Sequence, residues 1–338
     1  MNTKRILSVI AVALITFTAA IAQRISVVTE DGSTSVHRTL QQAIEEADPG
    51  STIYLPGGGF SIADSVKIIK RLTIIGIGHK PDNENADGST IISGNLFFNE
   101  GSSGSAVMSC YITGNVNIGE GNATVNDVTI RFCNLNSVQV LNNTCQETVV
   151  NQSYLRGTSK FSETNAQVSN NIIHSMGNIN GGNIINNIFT NQYLYYNISN
   201  YGPWKYACLT VNNSVIINNI FFPSTSTGNT ERHLYTGSGN TSNNNMTRVD
   251  DVGNNSIKLG DIDWNDVFEN YNGGAISPVS KFHFEGDYSK YEHEVGIYAG
   301  DGFSEDQLAP VPYIISKDIP QQTDAAGNLN IKIRVKAN

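Results

Sequence analysis

Asn218-Asn219-Ile220-Phe221 repeats Asn186-Asn187-Ile188-Phe189, and Asn170-Asn171-Ile172-Ile173 and Asn243-Asn244-Asn245-Met246 are variants of the same phrase. Short β-branched segments precede three of the four: Val168, Ile184-Ile185 and Val215-Ile216-Ile217. The local reading is a strand of a few residues, a bend carrying Asn, then a second short strand. Asn suits the bend because its short amide side chain tolerates the left-handed backbone region. Toward the N-terminus, similar segments begin at Val107, Val128 and Val149, so the starts as far as Ile184 are spaced by 21, 21, 19 and 16 residues. The next interval, to Val215, is 31 residues and therefore holds an insertion. Such repetition marks a stacked architecture in which each turn of chain contacts only its neighbours.

Stacking at the inter-strand spacing of about 4.8 Å predicts that Asn171, Asn187 and Asn219 form one column of mutually bonded amides. The apolar positions between bends are expected to point inward as one continuous core. The expected fold is all-β: a right-handed, single-stranded parallel β-helix over residues 23–305, of roughly ten coils. A solenoid needs a cap at each end. Thr39 with Gln42 reads as a capping box, and Leu40, Ala43, Ile44 and Ala47 lie on one helical face, so 39–47 is expected to cover the first coil. Strands are expected at 24–30, 52–55, 66–69, 72–75 and 90–92, with 56–59 and 76–78 as glycine-rich breaks. Beyond Pro310, 313–316 and 329–335 read as strands joined by a turn at 324–327. Residues 306–338 are thus expected to be a hairpin packed on the solenoid.

The stretch from Thr39-Leu40-Gln41-Gln42-Ala43-Ile44 through Pro49-Gly50-Ser51-Thr52-Ile53-Tyr54-Leu55-Pro56-Gly57-Gly58 resembles the opening of pectin-lyase-like right-handed β-helix proteins. Leu72-Thr73-Ile74-Ile75-Gly76 and the Asn-Asn-Ile-Phe phrases are similar to their coils, and Gly296-Ile297-Tyr298-Ala299-Gly300 resembles the exit from a last coil. The resemblance spans roughly residues 35–300 and implies a fold, because the same scaffold carries lyases, hydrolases, adhesins and inert structures.

Lys4 and Arg5, the apolar run 6–18 and Ala20-Ile21-Ala22 together read as a secretory signal peptide over 1–22. The expected location is therefore outside the cytoplasm: periplasmic, extracellular or cell-surface. Only 15% of residues are charged, against roughly 25% in ordinary domains, while Asn numbers 42 against 21 Lys plus Arg. A net charge of -9 argues against nucleic acid and anionic membrane surfaces as partners. Cys110, Cys133, Cys145 and Cys208 match no metal spacing. They read either as buried free thiols or as one disulfide that export would permit.

Lyases of the resembling fold use a Lys or Arg base near acidic residues. The middle of the chain is poor in such groups, with Asp127, Arg131, Arg156, Lys160 and Glu163 among its scattered charges. Asp127 and Arg131 either face one groove or sit as a solvated pair on the outer wall. Hydrolases of the fold share an Asn-Thr-Asp, an Asp-Asp, a Gly-His-Gly and an Arg-x-Lys. Gly78-His79-Lys80 departs from the Gly-His-Gly at its third position and sits too early, and Asp250-Asp251 lacks the other three partners. Asp261, Asp263 and Asn265 have the alternate spacing of calcium-loop oxygens, but Asp266 stands where Gly is expected and Asn272 where Glu is. A turn or helix start is the reading, with no cofactor implied and calcium as the alternative. The six His residues form no i, i+4 pair.

The insertion 191–210 is the most informative local feature. It gathers Tyr193, Tyr195, Tyr196, Tyr201, Trp204 and Tyr206 in a chain that is 9% aromatic. Such rings stack on sugars while their polar tips stay wet. The alternative is that they fold back over the solenoid's own side. The function expected from these features is a secreted or cell-surface protein that binds or scaffolds extracellular polysaccharide without catalysis. A polysaccharide lyase acting on a uronate-containing glycan is the alternative.

Overall fold

A computed structural model describes residues 24–64, 66–79, 88–190, 208–222, 235–247, 253–260, 262–269, 282–308, 313–318, 327 and 331–336. Over these residues the chain is mostly β and builds two long sheets, of eleven and fifteen strands, plus a separate two-stranded hairpin. Successive circuits of chain visit the two sheets in turn. One circuit supplies Ala106–Met108, then Tyr111–Ile112 and Val116–Ile118; the next supplies Thr129–Arg131, Asn134–Leu135 and Val138–Val140. Each strand pairs in parallel with its counterpart in the neighbouring circuit.

The register of the first sheet follows from one apolar residue per strand. Ile53, Ile74, Val107, Ile130, Val150, Val168, Ile184 and Ile216 lie in line and are fully buried. Because side chains alternate with period two, a slip of one residue would turn this whole row to solvent. The row meets Ile112, Leu135, Leu155, Ile173, Phe189 and Phe221 of the second sheet in one core. Phe189 and Phe221 stack with ring centroids 4.9 Å apart and planes 6° from parallel.

The N-terminal end departs from the parallel pattern. Ile25–Val28 pairs antiparallel with both Thr34–His37 and Thr52–Tyr54, so a hairpin closes that edge. The strand at Thr34–His37 has no apolar run to announce it in the sequence, and its first three residues are exposed. The helix Leu40–Glu46 buries Leu40, Ala43 and Ile44. Thr39 Oγ1 accepts the Gln42 N–H at 3.1 Å, but the Gln42 side chain donates to Glu46 at 2.9 Å. Only half of the expected capping box is made, because the Gln42 side chain extends along the helix to Glu46 and does not turn back to accept the Thr39 N–H.

Two local expectations are corrected. Residues 66–69 form no strand, only an isolated bridge from Ile68 to Phe98; Val66 and Ile68 are buried, while Ile69 is exposed. The glycine run at 56–59 is no simple break, since the strand Gly58–Ser61 begins within it and pairs with Thr90–Ser93. At the other end, Tyr313–Asp318 and Lys332–Lys336 pair antiparallel, with Ile331, Ile333 and Val335 exposed.

Candidate functional site

Each Asn-Asn pair divides its work between two backbone conformations. The first member, Asn170, Asn186, Asn218 or Asn244, has φ of 55°, 60°, 58° or 51°. That left-handed residue makes the bend and turns its side chain outward. The second member points inward. Asn171 Nδ2 donates to Asn187 Oδ1, Asn187 Nδ2 to Asn219 Oδ1 and Asn219 Nδ2 to Asn245 Oδ1, each at 3.0 Å. Each oxygen also accepts the backbone N–H of the preceding Asn, at 2.8–3.0 Å. Asn171, Asn187, Asn219 and Asn245 are all fully buried, so every amide in the column replaces water for a bend that could not otherwise be dried. Toward the N-terminus the column continues with smaller groups: the Ser153 N–H donates to Asn171 Oδ1 and the Cys133 N–H to Ser153 Oγ.

The outward Asn residues hold a second layer. Residues 282–308 run back along the outer side of the second sheet, against the direction in which circuits accumulate. The Gly296 N–H donates to the Asn218 carbonyl at 2.7 Å. Asn186 Nδ2 donates to the Ala299 carbonyl, and Asn170 Nδ2 to those of Ile297 and Ala299. The Ser304 N–H reaches Gln152 Oε1 at 2.6 Å, and Gln307 meets His79 at 3.2 Å. Beneath this return segment Tyr154, Ile172, Ile188, Ile220 and Met246 form an outer row, packed with Trp264, Phe268, Phe282, Ile297 and Phe303 into a second apolar cluster. Ile188 and Phe189 are neighbours in a strand, so only one can enter the core. The expectation that all apolar positions point inward is corrected here: in Tyr154-Leu155, Ile172-Ile173, Ile188-Phe189 and Ile220-Phe221 the first residue faces out and is covered. The Gly296–Gly300 stretch is thus part of this cover.

The aromatic insertion leaves from a defined corner. In one circuit Ile173 and Met176 are separated by His174 and Ser175 alone; their partners in the next, Phe189 and Leu209, are separated by residues 190–208. The stems are fixed: the Thr190 N–H donates to the Ile173 carbonyl at 2.8 Å, the Met176 N–H to that of Cys208 at 2.9 Å, and Thr190 and Cys208 are buried. In the following circuit the corresponding partners, Phe221 and Tyr235, are separated by residues 222–234. The floor of this corner was not legible in sequence. His174 is half-buried, and burial lowers its pKa, while Ser175 and Thr158 share a hydrogen bond of 2.7 Å. Tyr193, Tyr195, Tyr196, Tyr201, Trp204 and Tyr206 themselves lie outside the described residues, as do residues 1–22, Asp250, Asp251, Asp261 and Asn272.

The scattered charges serve local structure. Arg156 donates to the Ile112 carbonyl at 2.9 Å and lies over the Tyr111 ring. Arg131 lies over Phe132, its guanidinium carbon 4.6 Å from the ring centre. Asp263 caps a short 3-10 turn at Trp264–Asp266, accepting from the Asn265 N–H at 3.0 Å. His79 is buried edge-on to Tyr154. All four cysteines are buried; burial pushes the Cys133 thiol up to about 12 and raises those of Cys110, Cys145 and Cys208. Among the described residues no three His, Cys, Asp or Glu side chains are grouped to hold a metal ion. No family model, characterised protein or solved structure matches this chain.

Proposed function

We propose that this chain is exported and that its circuits close as a right-handed, single-stranded parallel β-helix of the pectin-lyase-like kind. We further propose that it works without catalysis, holding a neutral extracellular polysaccharide. The observation that carries the functional reading is the insertion 191–210: six large aromatic residues between stems anchored on the preceding circuit. Such rings offer apolar faces to sugar rings and keep polar edges for hydroxyls. A loop on a rigid stack is a favourable place for binding, because the scaffold fixes its ends at no further entropic cost. The handedness is supported by the parallel pairing, since strand twist makes such connections within one sheet right-handed in nearly all proteins. The net charge of -9 favours a neutral glycan over an anionic one.

Affinity electrophoresis in gels carrying neutral polysaccharides tests this reading. Wild-type protein is expected to be retarded, and Trp204→Ala to migrate freely with its melting temperature unchanged. A loss of stability of about 3–5 kcal/mol in Trp204→Ala would show instead that the rings cover the protein's own surface. A rise in ultraviolet absorbance from unsaturated uronate product, measured with the same preparation, would replace the binding reading with a lyase.

A further inference from the structure

His283, Glu292, Tyr298 and Glu305 converge on the return segment. His283 Nδ1 meets Glu292 Oε1, and Nε2 meets Glu305 Oε1 at 2.7 Å. The Tyr298 ring lies flat on the imidazole, centroids 4.1 Å apart and planes 7° from parallel, and its hydroxyl donates to the same Glu305 Oε1 at 2.8 Å. Glu292 Oε2 accepts the Phe284 N–H at 2.8 Å. One imidazole therefore joins the beginning, middle and end of residues 282–308.

An imidazole with a carboxylate at each nitrogen can donate to both only as the cation. The neutral ring keeps one N–H and turns a lone pair toward the other carboxylate. We propose that His283 is a pH-operated clasp that locks the return segment over the outer isoleucine row and loosens it as the pH rises. This holds whatever the aromatic insertion binds.

The groups facing the ring set the direction. Glu292 and Glu305 are the charges at its two edges and Tyr298 covers one face; Tyr154 stands beyond Glu305 and Tyr298. Glu269 approaches through its backbone N–H, which donates to the His283 carbonyl, and His293 Nδ1 lies 3.3 Å from the Tyr298 carbonyl. Burial disfavours the imidazolium, but the hydrogen bonds and charges of Glu292 and Glu305 outweigh it and raise the His283 pKa above its ordinary 6.5. A folded-state pKa above the unfolded one gives stability that is complete below the unfolded value. It is lost as the pH climbs through the folded value. The clasp is thus closed in mild acid and opens as the pH climbs through the raised value of the folded state. The Asn170 and Asn186 bonds to the Ile297 and Ala299 carbonyls do not titrate, so opening loosens 283–305 without releasing the segment from the stack.

The test combines a proton NMR titration of His283 with hydrogen exchange of backbone amides 283–305 at pH 6 and pH 9, corrected for intrinsic rates. The His283 midpoint is expected above that of a peptide spanning 280–286. Protection of 283–305 is expected to fall from pH 6 to pH 9, by about tenfold for each unit of elevation. His283→Gln should abolish that pH difference, and Glu305→Gln, which keeps an acceptor for Tyr298, should lower the midpoint. A midpoint at or below the peptide's, or the same fall in His283→Gln, overturns the proposal. If His283→Gln does not fold, the wild-type titration and Glu305→Gln decide it alone.

Discussion

Asn187 and Asn219, in neighbouring circuits, are joined twice at one atom: Asn219 Oδ1 accepts both the backbone N–H of Asn187, at 2.9 Å, and its side-chain Nδ2, at 3.0 Å. Asn187 Nδ2 also donates to the carbonyls of Val168 and Ile185, at 2.8 and 3.0 Å. The amide therefore ties three circuits together at a fully buried site.

Replacing Asn187 by Leu keeps the branched shape of the side chain and removes its hydrogen-bonding groups. The Asn171 N–H and the Val168 carbonyl are then left unpaired in the interior. The expected cost is about 1–3 kcal/mol for each group stranded, read as a lower midpoint in urea unfolding. An unchanged midpoint would mean that the column does not hold the bends.

Phe189→Ala removes one ring of the stack with Phe221 in the inner core. A loss of about 3–5 kcal/mol is expected. Ile188→Ala, one residue away, removes a side chain from the outer cluster instead. It should cost about 2–5 kcal/mol and raise hydrogen exchange in 295–303, whereas Phe189→Ala should destabilise the whole stack. Identical exchange patterns in the two variants would refute the division into two cores.

Gly296 has φ of +76°, and a Cβ there would come within 2.5 Å of Ile220 Cδ1. Gly296→Ala is expected to lose about 1–2 kcal/mol from the left-handed backbone alone, with the clash in addition. Differential scanning calorimetry checks this, and a variant as stable as wild type would show that the return segment does not seat on Ile220.

The cysteines give a chemical probe. Cys133, with its thiol pushed up to about 12, and the equally enclosed Cys110 and Cys208 lack both thiolate and access at neutral pH. Iodoacetamide is expected to label none of them in the folded protein and all of them in guanidinium, as counted by intact-mass spectrometry. Rapid labelling under native conditions would contradict their placement in the core.

The sequence by itself determined the repeating unit. The Asn-Asn-Ile-Phe phrases carry both the bend and the strand that follows it, because Asn is among the few residues that accept a left-handed bend and Ile and Phe prefer pleated, buried positions. From that the parallel stacking and the column of Asn171, Asn187 and Asn219 could be expected, and the helix at Leu40–Glu46 was legible from its apolar face. Local pattern could not decide what lies outside the stack. Adjacent Ile188 and Phe189 cannot both enter the core, and the residues that cover Ile188 stand about a hundred positions later, within 282–308, where the described chain forms no strand. Only the tertiary structure brings Gly296 to Asn218, Ser304 to Gln152 and Gln307 to His79. The His283 clasp likewise depends on bends that bring Glu292 and Glu305 to opposite edges of one ring. These contacts exist because the outer apolar row of the parallel strands must be dried by something other than the repeats themselves. No residue within the repeat carries the information about which segment will do it.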